Sequence, residues 1–218
     1  MKHSRIVPNK NHGVIELKKT TLKKPVIISL LSALGFLIYY FAFPLPLFPG
    51  FLTMDFSDLP ALVGAIALGP GAGIAIEAIK NILHVLLTGS LTVVPVGEIS
   101  NFIAGSIFIL VCWYFYKRRP SIFSLALGMV AGTLIMTVIM AVANYYIILP
   151  SYAIFLGFNV DSVISMSQAA NRNITSLMTY IVYAIMPFNL IKGAALTLIM
   201  LPVYARLKNY LNKRAAIH

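Results

Sequence analysis

Residues 44–60, PLPLFPGFLTMDFSDLP, constrain the fold more than any other stretch. They separate two strongly apolar runs, and Pro44, Pro46 and Pro49 cannot continue a preceding helix. Yet the segment is too greasy for a solvated loop, since Leu45, Leu47, Phe48, Phe51, Leu52, Met54 and Phe56 all lie in it. Irregular backbone at a membrane edge is tolerated only where protein or a bound molecule buries it. Asp55 and Asp58 stand in the same stretch, and the chain of 218 residues has only six acids.

The surrounding composition is that of a polytopic membrane protein. The chain is 59% hydrophobic and 11% charged, with a mean hydropathy of +0.87. The basic start, Met1 to Lys24, is longer than the n-region of a signal peptide, and no small-residue cleavage site follows the first apolar run. That run reads as a retained first span. The net charge of +11 suggests nucleic acid until the positions are inspected. Seven of the 17 Lys and Arg precede residue 25, three form Lys117-Arg118-Arg119, and four lie between Arg206 and Arg214. These groups flank apolar segments, as the positive-inside rule requires, so they record topology and no nucleic-acid partner is expected.

Apolar segments run over about 26–43, 58–69, 72–88, 97–116, 122–149 and 176–205. The second is short for a hydrocarbon core that takes about 20 helical residues, and it would fuse with the third across Gly69-Pro70-Gly71 to give five spans. Charge decides for six. Only with six do the N-terminus, Lys117–Arg119 and the C-terminus share one side. The expected fold is therefore an all-α membrane protein of six transmembrane helices with both termini cytoplasmic. It divides into a basic tail 1–24, a membrane domain 25–207 with an outer loop 44–57, and a basic tail 208–218. The 89–96 and 150–175 loops fall outside as well. No internal repeat is visible, and the chain reads as too small for a complete inverted-repeat carrier.

Ionisable groups inside spans are costly and mark cavities or helix contacts. Glu77, Lys80, Asn81 and His84 share one face of the third span by their spacing of three and four. They form either an internal Glu77–Lys80 pair with helix–helix hydrogen bonds, or ligand contacts. Glu98 starts the fourth span, either as a helix-start acid or as a binding group. Asn144 lies near the outer end of the fifth, before Pro150. Lys192 is a lone cation in the sixth, whose Pro187 is expected to bend or break the helix and free carbonyls. Its partner is a distant acid, a carbonyl cluster or a bound ligand, and the ligand is favoured. Asp55 and Asp58 are open between binding and capping the second helix. Ser29 and Ala33 make a small-xxx-small pair on the first span, suited to packing within the chain or to a partner helix.

Catalysis finds little support. Cys112 is the sole cysteine, and His84 is the single histidine in a span, so neither a disulfide nor a metal centre is expected. No Ser-His-Asp, HExxH or GxxxxGK[ST] pattern occurs. Any nucleotide hydrolysis must come from another subunit.

The run FPLPLFPGFLTMDFSDLPALVGAIALGPGAG, then IKNILH and GEISNF, resembles the riboflavin-specific substrate-binding (S) components of energy-coupling factor (ECF) transporters, over about residues 26–205. The resemblance implies a six-helix unit without catalysis or cofactor. It takes riboflavin from outside under its first loop and works with a transmembrane coupling subunit and two ABC-type ATPases. It also implies roles for individual residues. Phe48, Phe51 and Thr53 of the loop, Asn144 and Lys192 become ligand contacts, and Glu98 joins them as a candidate from its position. The coupling motif, Ala-xxx-Ala in the family, falls on Ser29 and Ala33, with serine in place of the first alanine. The alternatives are an S component for another vitamin and an accessory membrane scaffold.

Overall fold

A computed structural model describes residues 23–89, 95–156 and 160–215. Most of the 1–24 tail, the centre of the 89–96 loop and the last three residues lie outside the described residues.

The first helix, α1, spans Lys23–Tyr40 and stops before the prolines of the first loop. The loop is not a free excursion. Phe43–Pro44 (β1) and Thr53–Met54 (β2) pair antiparallel, Phe43 opposite Met54 and Pro44 opposite Thr53. This short ladder adds a β element to the expected all-α fold and draws the two ends of the loop together.

The helix α2, Asp58–Leu68, and the helix α3, Pro70–Thr88, are separate. Between them Gly69 has φ +97°, a conformation that glycine adopts without a steric penalty. Pro70 then opens α3 at the first helical position, where its missing N–H costs nothing. The two helices fold back as a hairpin, with Gly73 packed against Ala65 and Lys80 reaching Asp58. Eleven residues rise only about 16 Å, roughly half of a bilayer core of about 30 Å. The loop leading into α2 therefore descends to mid-depth, and most of its last residues are buried. Met54, Asp55, Ser57 and Asp58 are each at most 3% exposed.

Among the described residues, five helical stretches are long and apolar enough to cross a membrane: Lys23–Tyr40, Pro70–Thr88, Val96–Arg118, Ile122–Tyr152 and Leu177–Lys208. The helix α2 is a shorter sixth apolar helix. The third long stretch is α4, Val96–Arg118.

The fourth and fifth long stretches differ from expectation at their prolines. The helix α5, Ile122–Ala143, does not end before Pro150. It widens into a π turn, Asn144–Ile148, and continues as α6, Leu149–Leu156. The Leu149 N–H bonds to the Asn144 carbonyl, five residues back. The same device precedes Pro187. A short α8, Leu177–Tyr180, passes through the π turn Ile181–Ile185 into α9, Met186–Ala215, and the Met186 N–H bonds to the Ile181 carbonyl. A proline lacks an N–H and crowds the carbonyl four residues before it. Widening the preceding turn relieves both problems without breaking the helix. The two π turns touch each other. The stretch expected as an outer loop, 150–175, is also largely helical, because α7, Val160–Ala170, follows α6.

Two apolar clusters hold the bundle. One joins α2, α3, α4, α5 and α9 through Leu62, Ile76, Phe108, Met129 and Leu196. The other surrounds the π turns, with Leu149, Tyr180, Ile181 and Ile185 buried and Leu52 of the first loop packed on them. Gly193 lets α9 approach α5, since a Cβ there would lie 2.7 Å from the Thr133 Cβ. At the end bearing Lys117, the hydroxyls of Tyr116 and Tyr204 meet at 3.1 Å and tie α4 to α9.

Candidate functional site

The first loop and α2 bring acids to the depth of the two membrane lysines. Lys80 Nζ lies 2.5 Å from Asp58 Oδ1 and 2.9 Å from Glu77 Oε2. Lys192 Nζ lies 3.0 Å from Asp55 Oδ2 and 3.3 Å from Asp58 Oδ2. Asp55 collects further donors. Its Oδ1 accepts the Ser57 N–H at 2.9 Å and the Ser57 hydroxyl, and its Oδ2 also accepts from Asn101 Nδ2 at 3.1 Å. Lys80 donates in turn to the Ser57 hydroxyl at 2.6 Å. The network thus joins the first loop, α2, α3, α4 and α9 around three carboxylates and two ammonium groups.

Four donors on the two oxygens of Asp55 suit an ionised, acceptor-only carboxylate. Asp55 and Asp58 also stand at the start of α2, where the helix dipole favours negative charge. Neither is a simple cap. The N-cap position is Ser57 and makes no side-chain capping bond, and both carboxylates turn to the lysines. Of the partners open to Lys192 in the sequence, the structure shows the distant acid, in the form of these two carboxylates. Glu77 and Lys80 do pair within α3, as one of the sequence readings held, but Asp58 is shared between Lys80 and Lys192.

The other candidates fall into two groups. Asn144 and Lys192 stand beside the two π turns. Asn144 opens the first and is 7% exposed, its amide Nδ2 bonded to the Met140 carbonyl at 2.8 Å. Lys192 follows the second by two helical turns, one turn after the buried Asn189. The loop rests on the same region. Phe48 meets Phe188 edge-on at 5.9 Å, and Phe51 lies 6.4 Å from the ring of Tyr180. Thr53 is exposed, in the ladder with Pro44. Glu98 belongs to a second row. Its Oε1 lies 3.3 Å from His84 Nδ1, and the His84 ring stacks on Tyr39 at 4.0 Å. Glu98 also lines a groove of about 340 Å³ between α3 and α4, with Asn81, Val85 and Phe102. Phe48, Phe51, Thr53, Asn144 and Lys192 do not line that groove.

Sequence reasoning overlooked Ser57, Asn101 and Asn189. The one signal for Asn189 was its place two residues after Pro187, where a disturbed helix frees carbonyls. On α1, Ser29 and Ala33 are exposed, whereas Ser32 and Gly35 face the bundle, Gly35 against the Lys80 side chain. Packing within the chain therefore uses Ser32 and Gly35 and leaves the Ser29–Ala33 face open. Among the described residues, no group of three or more His, Cys, Asp or Glu is arranged to hold a metal ion.

Comparison with known proteins identifies the family. The family model "ECF transporter, substrate-specific component" matches residues 23–204. The riboflavin transporter FmnP of Bacillus subtilis (strain 168) is 38% identical over 197 residues, 90% of this chain and 98% of its own length. The riboflavin transporter RibU of Staphylococcus aureus (strain TCH60) is 36% identical over 203 residues, 93% of this chain and 99% of its own. The solved S component of a bacterial ECF transporter superposes with a TM-score of 0.69 at 33% identity, covering 87% of this chain and 97% of that one. With its apolar membrane-crossing helices and this match over most of its length, the chain is a multi-pass membrane protein that belongs to the substrate-specific components of ECF transporters.

Proposed function

We propose that this chain is the riboflavin-binding subunit of an ECF transporter. It takes the vitamin from outside the cell and releases it inward when docked on a transmembrane coupling subunit with two ABC-type ATPases. The chain has no ATPase of its own in this reading. Residues 25–207 form the binding unit, and the basic tails 1–24 and 208–218 lie in the cytoplasm. The observation that carries the proposal is the first loop. It sets Phe48 against Phe188 of α9 and Phe51 against Tyr180 of α8, packs Leu52 on the cluster around the second π turn, and brings Asp55 to the buried Lys192. Relatives named as riboflavin transporters align with 90% or more of the chain.

The chemistry suits a flavin. The isoalloxazine system is flat and aromatic, with an edge of alternating carbonyls and N–H. The Asn144 amide offers both donor and acceptor to such an edge, and the Lys192 ammonium donates to a ring nitrogen or carbonyl. Phe48 and Phe51 supply apolar faces, and Thr53 a hydroxyl. Glu98 sits apart from this group, beside His84, and serves the ligand's polar end or the α3–α4 contact. The exposed Ser29 and Ala33 form the face for the coupling subunit.

Competition of labelled riboflavin against a panel of vitamins tests the ligand. Displacement by unlabelled riboflavin alone is expected. Stronger displacement by an unrelated vitamin would keep the architecture and reassign the cargo.

A further inference from the structure

Riboflavin is uncharged, and an isolated ammonium at mid-membrane is a poor match for an uncharged occupant. The first loop resolves the mismatch. Lys192 is 4% exposed and Asp55 2% exposed, and they meet at 3.0 Å although 137 residues separate them. Asp58 is the second carboxylate near Lys192, but its closer partner is Lys80 at 2.5 Å. Asp55 is held in place independently of the lysine, by Ser57 within the loop and by Asn101 of α4. A carboxylate so fixed has no freedom to follow the lysine, so the lysine is directed by it.

We propose that Asp55 is a positioning residue for Lys192: it cancels the lysine's charge and aims the ammonium, so that Lys192 meets an uncharged flavin as a hydrogen-bond donor. This rests on the riboflavin reading above. Because Asp55 belongs to the first loop, the donor is complete only when the loop is seated against α9. Asn101, which braces the same oxygen from α4, assists from the side.

A double-mutant cycle on the purified full chain tests the assignment, with riboflavin affinity read from quenching of flavin fluorescence. Asp55→Asn is expected to weaken binding about tenfold or more, and Asp55→Glu to stay within about threefold of the unmodified protein. In a Lys192→Met background, adding Asp55→Asn should change affinity less than about twofold, because the residue it acts through is gone. The absorption band of the bound flavin should move in both single variants, which a purely structural role would not produce. Independent losses that multiply in the double variant overturn the proposal, as does Asp55→Asn with unchanged affinity and spectrum. If Asp55→Asn alone does not fold, the double variant, which removes both charges together, carries the test. It is expected to fold and to match Lys192→Met. A double variant that binds far more weakly, or that fails to fold, shows a task for Asp55 independent of Lys192 and overturns the proposal. An unmodified protein that binds no riboflavin defeats the functional reading itself, an outcome separate from any of these.

Discussion

The buried side chains decide both stability and binding, and they make separable predictions. Lys80 is fully buried between Asp58 and Glu77, so Lys80→Met leaves Glu77 without its partner and Asp58 with Lys192 alone, at 3.3 Å. Breaking a buried ion pair by removing one member costs about 3–5 kcal/mol. The variant should therefore melt well below the unmodified protein in detergent, with or without flavin. Asn144→Ala and Lys192→Met should lower riboflavin affinity by about threefold to tenfold and about tenfold to a hundredfold, as expected for neutral and charged hydrogen bonds, and Lys192→Met should lower the melting temperature too, because it strips the buried Asp55 of its ammonium partner. Isothermal titration of each variant checks this. Much of this network was legible in the sequence, but only within one helix. Glu77, Lys80, Asn81 and His84 announce a shared face by their spacing. The spacing carries no information on what stands opposite. Lys192 was visibly without a partner, and its partner was 137 residues away in a loop whose depth no periodicity encodes.

At the scale of elements, close approach and proline placement govern the geometry. Gly193 permits the α5–α9 contact, and a Cβ there meets the Thr133 side chain. Gly193→Ala should destabilise the protein by about 1–3 kcal/mol through overpacking, read as a lower melting temperature. Because Lys192 is its neighbour, riboflavin affinity should fall as well. The helices themselves follow closely from apolar runs and charges. The ends of the fifth and sixth runs do not. Pro150 and Pro187 read as a stop and a kink, whereas each follows a π turn that keeps the helix going. A proline marks that the ladder is disturbed without saying whether the helix stops, bends or widens, because neighbouring helices settle that choice. The short α2 was legible as a short run. Its consequence, a loop that descends to the middle of the membrane, followed once the turn at Gly69 fixed where α2 begins and ends.

At the scale of the whole molecule, the proposed ligand face and the proposed coupling face lie on different elements. In the proposed arrangement the first loop, α5 and α9 would hold the flavin, and the Ser29–Ala33 face of α1, which is exposed, would meet the coupling subunit. Ser29→Trp or Ala33→Trp should therefore leave riboflavin affinity of the isolated protein unchanged within about twofold, and yet reduce riboflavin uptake by cells at least tenfold, because a bulky side chain blocks close helix approach. Equal loss of binding and uptake would instead place these residues in the fold. Membership of the family covers the class of transporter, while the cargo rests on the site. A riboflavin titration of the purified protein tests the central claim most directly. The account predicts saturable quenching of flavin fluorescence at one riboflavin per chain. A correctly folded, colourless protein that leaves the fluorescence of added riboflavin unchanged would contradict it.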